Sequence, residues 1–194
     1  MSGPTAEIVA ALRATAVLAT ARDSTLERLA DASQRRVLER GAVLFIQGEK
    51  PAAVYAVASG MLRVFVTAAD GSEPTFGVLT AGAHVGEMGV LEGRRHSASV
   101  AALRRSDVIA IPAAVFRAAY EADGAIARQL VTLLADRVRA VSEGLADLTS
   151  LDLGGRLAKY LINEAELAGS DEFPLRLSQS ELGQLVGGAR QTVN

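Results

Sequence analysis

The chain of 194 residues contains no cysteine and only two histidines, His84 and His96. The absence of cysteine excludes disulfides, iron–sulfur clusters, cysteine-ligated zinc and thiol catalysis. Two histidines supply little material for metal chemistry. No apolar run approaches the roughly 20 residues that span a bilayer, and the N-terminus lacks the basic start and cleavage pattern of a signal peptide. We therefore expect a cytoplasmic protein without a membrane partner.

The chain also lacks the basic charge that is typical of nucleic-acid-binding proteins. Its formal net charge is −2 at pH 7. A neutral or acidic chain can still carry a local DNA-reading patch, so this charge alone excludes little. Apolar residues make up 49% of the sequence, which is enough for the core of one large domain or two modest ones.

Glycine residues separate a series of short β-rich runs between positions 35 and 111. The runs are RRVLER, AVLFIQ, AVYAVAS, GMLRVFVTA, PTFGVLT, SASVAAL and SDVIAIP. Asp70-Gly71 predicts a hairpin turn between two of them. Many short strands at regular spacing predict an antiparallel barrel or jelly roll, and helical spacing over residues 5–34 predicts helices before it.

A long helix is predicted after Pro112, because apolar residues alternate there in steps of four and three. They are Ala127, Val131, Leu134, Val138, Val141, Leu145 and Leu148. Such an a/d seam over about three heptads favours a coiled-coil dimer through residues 127–148. The alternative is a core helix that lies on the barrel, and we expect Leu130 and Leu133, which are off the seam, to face the barrel.

The last segment, LSQSELGQLVGGARQTVN, carries the clearest local pattern. Ser178 and Glu181 form a capping box before apolar residues, and Gly187-Gly188 supplies a break before a second helix in ARQTV. Two short helices joined by a glycine turn predict a helix-turn-helix, although an ordinary helical hairpin has the same spacing. A helix in LDLGGRLAKYLINEAELAG and a short strand in EFPLRL are predicted before it.

In this order the elements resemble the CRP/FNR family of bacterial transcription regulators over nearly the whole chain. The stretch GEMGVLEGRRHSASV, residues 86–100, resembles the phosphate-binding cassette of cyclic-nucleotide-binding domains. Residues 177–193 resemble the helix-turn-helix of the family. Each stretch is moderately specific alone, and their order around a heptad helix makes the resemblance strong.

The resemblance implies an α+β fold in three parts. Residues 1–122 are expected to form an antiparallel, jelly-roll-like β-roll with flanking helices, and residues 123–150 a long coiled-coil dimerisation helix. Residues 151–194 are expected to form a C-terminal winged helix-turn-helix. Because the family continues through the recognition helix into a β-wing, we expect this last part to be incomplete at Asn194.

The resemblance also implies what the protein does. It implies a homodimeric regulator without enzymatic activity that binds a palindromic double-stranded DNA site and responds allosterically to a small effector in the β-roll. Cyclic AMP or another cyclic nucleotide is the candidate effector. No metal or further cofactor is required, and RNA polymerase is a candidate partner.

The implied effector-binding residues lie in the cassette and on the long helix. They are Gly86, Glu87, Met88, Arg95, His96, Ser97, Arg137, Val141 and Ser142. In the family the glycine backbone contacts the phosphate, the glutamate takes the ribose 2′-hydroxyl, and a serine donates to the phosphate. Arg137 is expected opposite Glu87, while Val141 and Ser142 take the places of two hydroxyl residues that contact adenine.

The phosphate-pairing arginine of the family falls on His96. Histidine has one donor per nitrogen and a solution pKa of about 6.5, so it is only partly charged near neutrality. Three interpretations are open: a phosphate raises the pKa of His96, Arg94 or Arg95 supplies the charge, or the pocket takes a different ligand or none. With no ligand, the β-roll serves only as a scaffold.

Other classes of function are also open. A β-roll of this kind resembles the cupin barrel, whose enzymes hold a metal with histidine and glutamate, and His84, Glu87 and His96 are three such residues. A haem sensor with His84 or His96 as axial ligand is a related alternative. A third is a regulatory subunit that binds a nucleotide and a protein partner without touching DNA.

For DNA, the resemblance places base contacts in the first turn of the second helix. Arg190 takes the place of the arginine that pairs with guanine, and Gln191 follows it with a side chain that can read a base edge. Ala189 stands where a serine or threonine cap is usual. The implied DNA-binding residues are Ser178, Gln179, Ala189, Arg190, Gln191 and Thr192.

Overall fold

The computed structural model describes residues 3–175 and 177–187. The helices are α1 (Gly3–Arg13), α2 (Asp23–Ala32), α3 (Glu87–Glu92), α4 (Ala113–Ala122), α5 (Gly124–Ser150), α6 (Leu153–Ala168) and α7 (Gln179–Leu185). The strands are β1 (Gln34–Leu38), β2 (Val43–Phe45), β3 (Ala53–Ser59), β4 (Met61–Phe65), β5 (Thr75–Thr80), β6 (His84–Val85), β7 (Ser99–Ala102) and β8 (Ser106–Pro112). The predicted second helix of the helix-turn-helix, with Ala189, Arg190, Gln191 and Thr192, lies outside the described residues.

The strands form two antiparallel sheets of four strands each, in the orders β1-β8-β3-β6 and β2-β7-β4-β5. Apolar residues that alternate along these strands meet between the sheets, among them Phe45, Val57, Leu62 and Val100. The α+β fold with an antiparallel β-roll is thereby confirmed. The β4–β5 hairpin turns at Asp70-Gly71 as predicted, because the Gly71 amide donates to the Ala68 carbonyl at 2.9 Å.

Helices cover the outer face of the β1-β8-β3-β6 sheet. Leu12, Leu26, Phe116 and Ile111 are fully or almost fully buried in this second core. The first half of α5 also belongs to it, since Leu130 is buried and Leu133 packs against the cluster. Both residues therefore face the β-roll, as their position off the heptad seam predicted.

Most of the heptad seam of α5 is exposed to solvent. Val131, Val138, Val141 and Leu145 are 66%, 66%, 72% and 64% exposed, whereas Leu134, also on the seam, packs partly against the core beside the roll. The long helix therefore packs on the β-roll with one face and presents apolar side chains to solvent along much of its seam. Helix α5 runs through Gly144 without a break.

The C-terminal elements pack together and against the β-roll. Asp152 caps α6 by accepting from the Gly155 amide at 2.8 Å. Ser178 and Glu181 form the predicted capping box of α7. A small core joins α7 to the roll; its buried members are Met61, Leu177, Leu182 and Val186.

The predicted strand in EFPLRL is wrong for its described part, because residues 172–175 adopt no strand conformation. Neither sheet of the described residues includes this segment, and Pro174 cannot donate to a strand partner. None of the helices within the described ranges is both long and apolar enough to cross a membrane.

Asp123 fixes the start of the long helix. Its buried carboxylate accepts from the Arg22 amide at 3.0 Å, the Thr25 hydroxyl at 2.9 Å and the Ala125 amide at 3.2 Å. These bonds, led by the one from the Arg22 amide, lower the pKa of Asp123 from 3.8 to about 2. The N-terminus of α5 is thus held against α2.

We expect Asp123→Ala to destabilise the chain by about 2–3 kcal/mol, since it leaves buried donors without an acceptor. Because the folded pKa is depressed, this contribution is complete above about pH 4 and is lost as the pH falls toward about 2. Urea unfolding between pH 2 and 7 measures both effects. Replacement of the exposed Asp31 by alanine is the control, and equal stability of the two variants would contradict this role of Asp123.

Candidate effector site

A cavity of about 330 Å³ lies between the β-roll, the cassette and α5. Its apolar walls come from β2, β4, β5, β7, the cassette and α5; they include Phe45, Val64, Phe76, Leu79, Met88, Val100 and Val141. Its polar wall consists of His84, Glu87, His96, Ser97 and Arg137. A mostly apolar cavity with a few converging polar groups is typical of small-molecule sites.

The cassette is shaped by Gly86 and the short helix that follows it. Gly86 has a φ of +93°, in the left-handed region, and a Cβ atom there would lie 3.0 Å from the Ala53 carbonyl oxygen. Glycine is therefore required by the local backbone as well as by its packing. Helix α3 begins at the next residue and directs Glu87 inward.

Glu87 and Arg137 are brought together across the cavity wall. Glu87 is 1% exposed, and the Arg137 guanidinium donates to its Oε1 at 2.5 Å. The same guanidinium donates to the His84 carbonyl at 3.2 Å. This ion pair joins the cassette to the middle of α5 and leaves the two side chains with no net charge between them.

His96 is enclosed in the cavity wall. It is 7% exposed, and its ring is stacked on Phe45 with 3.8 Å between ring centroids and 14° between planes. Burial lowers the pKa of His96, although the nearby carboxylates of Glu49 and Glu87 oppose that shift. This shift favours the neutral imidazole, which offers no fixed positive charge to a phosphate.

The neighbouring arginines do not reach the cavity. The Arg95 guanidinium donates to the Gly48 carbonyl at 2.7 Å on the outside of the loop. The Arg94 side chain is 81% exposed and lies 4.0 Å from Glu92. The interpretation in which one of them replaces the family arginine thus has no support in this arrangement.

Two implied positions on α5 are placed differently. Val141 lines the cavity. Ser142 does not, because its hydroxyl is exposed and donates to the Val138 carbonyl of the preceding turn at 2.9 Å. Met88 and Ser97 both line the cavity, so seven of the nine implied effector positions meet there and Arg95 and Ser142 do not.

His84 also lies in the cavity wall, although the sequence suggested it only as a metal or haem ligand. It is 3% exposed, and its Nε2 atom has no hydrogen-bond partner among the described residues. Burial lowers the pKa of His84, Glu87 opposes that shift and Arg137 reinforces it. The described part of the chain contains no group of three or more histidine, aspartate or glutamate side chains able to hold a metal ion, so the cupin-type set finds no support.

The apolar wall residues Phe45, Phe76 and Leu79 were also missed. Their positions in alternating strands look like ordinary core positions in the sequence, and only the folded roll shows that they surround a space. No local signal distinguishes them from residues such as Leu62, which is fully buried between the sheets.

The β-roll with its cassette is joined to a long helix and a C-terminal helical unit. Residues 35–123 match the family described as the cyclic nucleotide-binding domain. The chain is 32% identical over 155 residues to the cAMP-activated global transcriptional regulator CRP of Salmonella typhimurium, covering 77% of this chain and 74% of that protein. It is 31% identical over 160 residues to the CRP-like cAMP-activated global transcriptional regulator of Mycobacterium tuberculosis, covering 80% and 71%.

Solved structures show the same architecture. The catabolite activator protein of Thermus thermophilus is 29% identical, with a TM-score of 0.60 over 92% of this chain and 83% of that one. The c-di-GMP responsive global regulator CLP of Xanthomonas campestris shares the fold at 23% identity, with a TM-score of 0.75 over 89% and 88%. The chain belongs to the CRP/FNR family of regulators, whose members matched here are transcriptional regulators and not enzymes.

We expect Arg137→Met to destabilise the chain by about 3 kcal/mol, because it leaves the buried Glu87 carboxylate without its cation. Arg139→Met is the matched control, since Arg139 is two residues away and pairs with Asp136 at the surface. Urea unfolding measures both variants. If Arg137→Met loses no more stability than Arg139→Met, the pair does not fasten α5 to the cassette.

Proposed function

We propose that this protein is a homodimeric, sequence-specific DNA-binding transcription regulator whose affinity for DNA is set by a small effector in the cavity. The observation that carries the proposal is the position of Val141. It lines the cavity and also lies on the exposed heptad seam, at 72% exposure. A ligand in the cavity therefore contacts the same turn of α5 that a second protomer would cover.

The dimer interface in this proposal is the seam of residues 127–148. Exposed apolar side chains at a and d positions lose contact with water when two such helices pair. Leu145 and Leu148 extend the stripe beyond the β-roll at 64% and 56% exposure. A stripe this long and continuous is typical of a surface that is covered in the assembled protein.

The β4–β5 hairpin offers a route from the effector to the DNA-binding unit. Val64, Gly77 and Leu79 line the cavity. Met61 and Val78, on the same two strands, belong to the small core that holds α7. Because a ligand shifts a conformational equilibrium only through different contacts in the two states, a hairpin that touches both units provides such a difference.

DNA recognition is assigned to the C-terminal unit of residues 151–194. Ser178 and Gln179 begin α7, the first helix of the motif. The predicted second helix lies outside the described residues; in this proposal Arg190, Gln191 and Thr192 supply its base-edge and phosphate contacts, and Ala189 takes the cap position. Residues 1–122 act as the sensor and 123–150 as the dimerisation helix, and RNA polymerase is a further partner in this scheme.

A cyclic nucleotide is the first candidate effector. The match to the cyclic nucleotide-binding domain and the retained Gly86, Glu87 and Ser97 support it. The neutral His96, stacked on Phe45, favours the second candidate, a ligand of different chemistry.

We expect Val138→Glu to convert the dimer into a monomer, because two carboxylates would face each other across the seam. Sedimentation equilibrium measures the mass of the variant. Thr132→Glu, which adds a charge at an exposed position off the seam, is the control and should remain dimeric. A dimeric Val138→Glu variant would place the interface elsewhere.

Selection of sites from random double-stranded DNA tests the DNA-binding function. We expect the full-length protein to recover a palindrome with half-sites about one helical turn apart, roughly 10 base pairs from centre to centre. Arg190→Ala should relax one base position in each half-site, at a cost of about 1–3 kcal/mol. Arg36→Ala, on the exposed face of β1, is the control, and unchanged preference in Arg190→Ala would remove Arg190 from base readout.

A further inference from the structure

We propose that the cavity is built for an uncharged, largely apolar small molecule and not for a nucleotide phosphate. This inference rests on the proposed function, since the ligand would be the effector of that regulator. It deepens the proposal by assigning the chemical class of the effector from the charge, the packing and the apolar surface of the walls.

The walls of the cavity offer no unpaired cation among the described residues. Among the described residues, Arg137 is the only arginine or lysine that lines the cavity, and it is bound to Glu87 at 2.5 Å. An entering phosphate would meet the Glu87 carboxylate beside the one guanidinium. An anion that leaves water without gaining a cation of its own is strongly disfavoured.

His96 stands at the position where the family has an arginine, and its packing does not suit an anion. His96 is held by its ring stack on Phe45, and its backbone amide donates to the Glu49 carbonyl at 2.9 Å. Burial keeps the pKa of His96 below its ordinary value, which favours the neutral form of the stacked ring. An anion would have to drive protonation of a buried ring that already contributes to the apolar wall.

The wall surface that remains for a ligand is largely apolar. Phe76, on β5, lines the cavity and is 68% exposed, so a large aromatic face is accessible to a ligand. Val64, Leu79 and Val100 continue this apolar surface. The cavity volume of about 330 Å³ fits a small molecule.

His84 adds no polar anchor to this wall. Its Nε2 atom is buried and lies 3.9 Å from the Glu87 carboxylate, so a ligand in the cavity does not reach it. The preferred ligand therefore has an apolar, uncharged body.

Two fluorescent probes test the inference because they differ by one charge. N-phenyl-1-naphthylamine is uncharged, and 8-anilinonaphthalene-1-sulfonate has the same ring skeleton with a sulfonate added. We expect the full chain to bind the uncharged probe at least about tenfold more tightly, because the sulfonate finds no free cation in the cavity. We expect cyclic AMP at millimolar concentration neither to bind nor to displace the uncharged probe.

Two variants connect this preference with the cavity. Gly77→Leu should weaken binding of the uncharged probe at least about tenfold. Gly77 lines the cavity, and a Cβ atom there meets nothing within 4 Å. The leucine side chain therefore has room to enter the cavity and occupy the ligand's space. His96→Arg should reduce the preference by strengthening the sulfonate probe, and should create cyclic AMP binding. Thermal unfolding of each variant checks that it is folded.

Equal affinities for the two probes, stronger binding of the sulfonate, no binding of the uncharged probe, or cyclic AMP binding to the wild type would each overturn the inference. Selection of DNA sites on the same samples separates it from the proposed function. If the full-length protein selects a palindrome but fails the probe comparison, only the proposed ligand class is wrong. If it passes the probe comparison and selects no DNA site, the regulator proposal is refuted.

Discussion

The ion pair between Glu87 and Arg137 is the interaction on which the arrangement of this protein depends. Glu87 is 1% exposed, so its carboxylate requires a cation, and the cation comes from the middle of α5. Leu130, Leu133 and Arg137 are spaced by three and four residues and therefore lie on one face of that helix. Once this face is fixed against the roll, Val138 on the adjoining face must point away.

The exposed seam is thus a consequence of the buried pair. A helix can rotate about its axis to hide apolar residues when nothing else constrains it, and α5 has apolar residues on more than one face. The buried carboxylate removes that freedom at one point, and Asp123 removes it at the N-terminus. The apolar stripe stays exposed because burying it against the roll would break both anchors.

The same pair explains why the cassette identifies the fold better than it identifies a ligand. In this chain Arg137 pairs with Glu87 inside the protein, so the glutamate contributes to the stability of the fold itself. Gly86 is likewise required by its positive φ and by the Ala53 carbonyl oxygen at 3.0 Å from any added Cβ. His96 is subject to neither constraint, and the fold accommodates an imidazole there by stacking it on Phe45.

The sequence therefore predicted the roll, the helix order, the seam and the Ser178–Glu181 capping box, since each depends on local spacing. It did not predict the cavity walls or the stack, which join residues from distant strands, or the failure of the EFPLRL strand, which depends on a partner.

The hairpin between the cavity and the C-terminal unit follows from the alternation of side chains along a strand. In the register of β4 and β5, Leu62 is opposite Leu79 and Val64 is opposite Gly77, and these pairs face the interior. The intervening pairs, Met61 with Thr80 and Arg63 with Val78, face outward, where Met61 and Val78 meet α7. The sheet is one layer thick at β4 and β5, so a displacement of its inner face by a ligand is also a displacement of its outer face. Because interiors are packed as densely as crystals, Leu182 of α7 and Val186, which follows α7, must move with that surface or lose contact with it. A displacement at the cavity therefore reaches α7 without any contact between a ligand and α7.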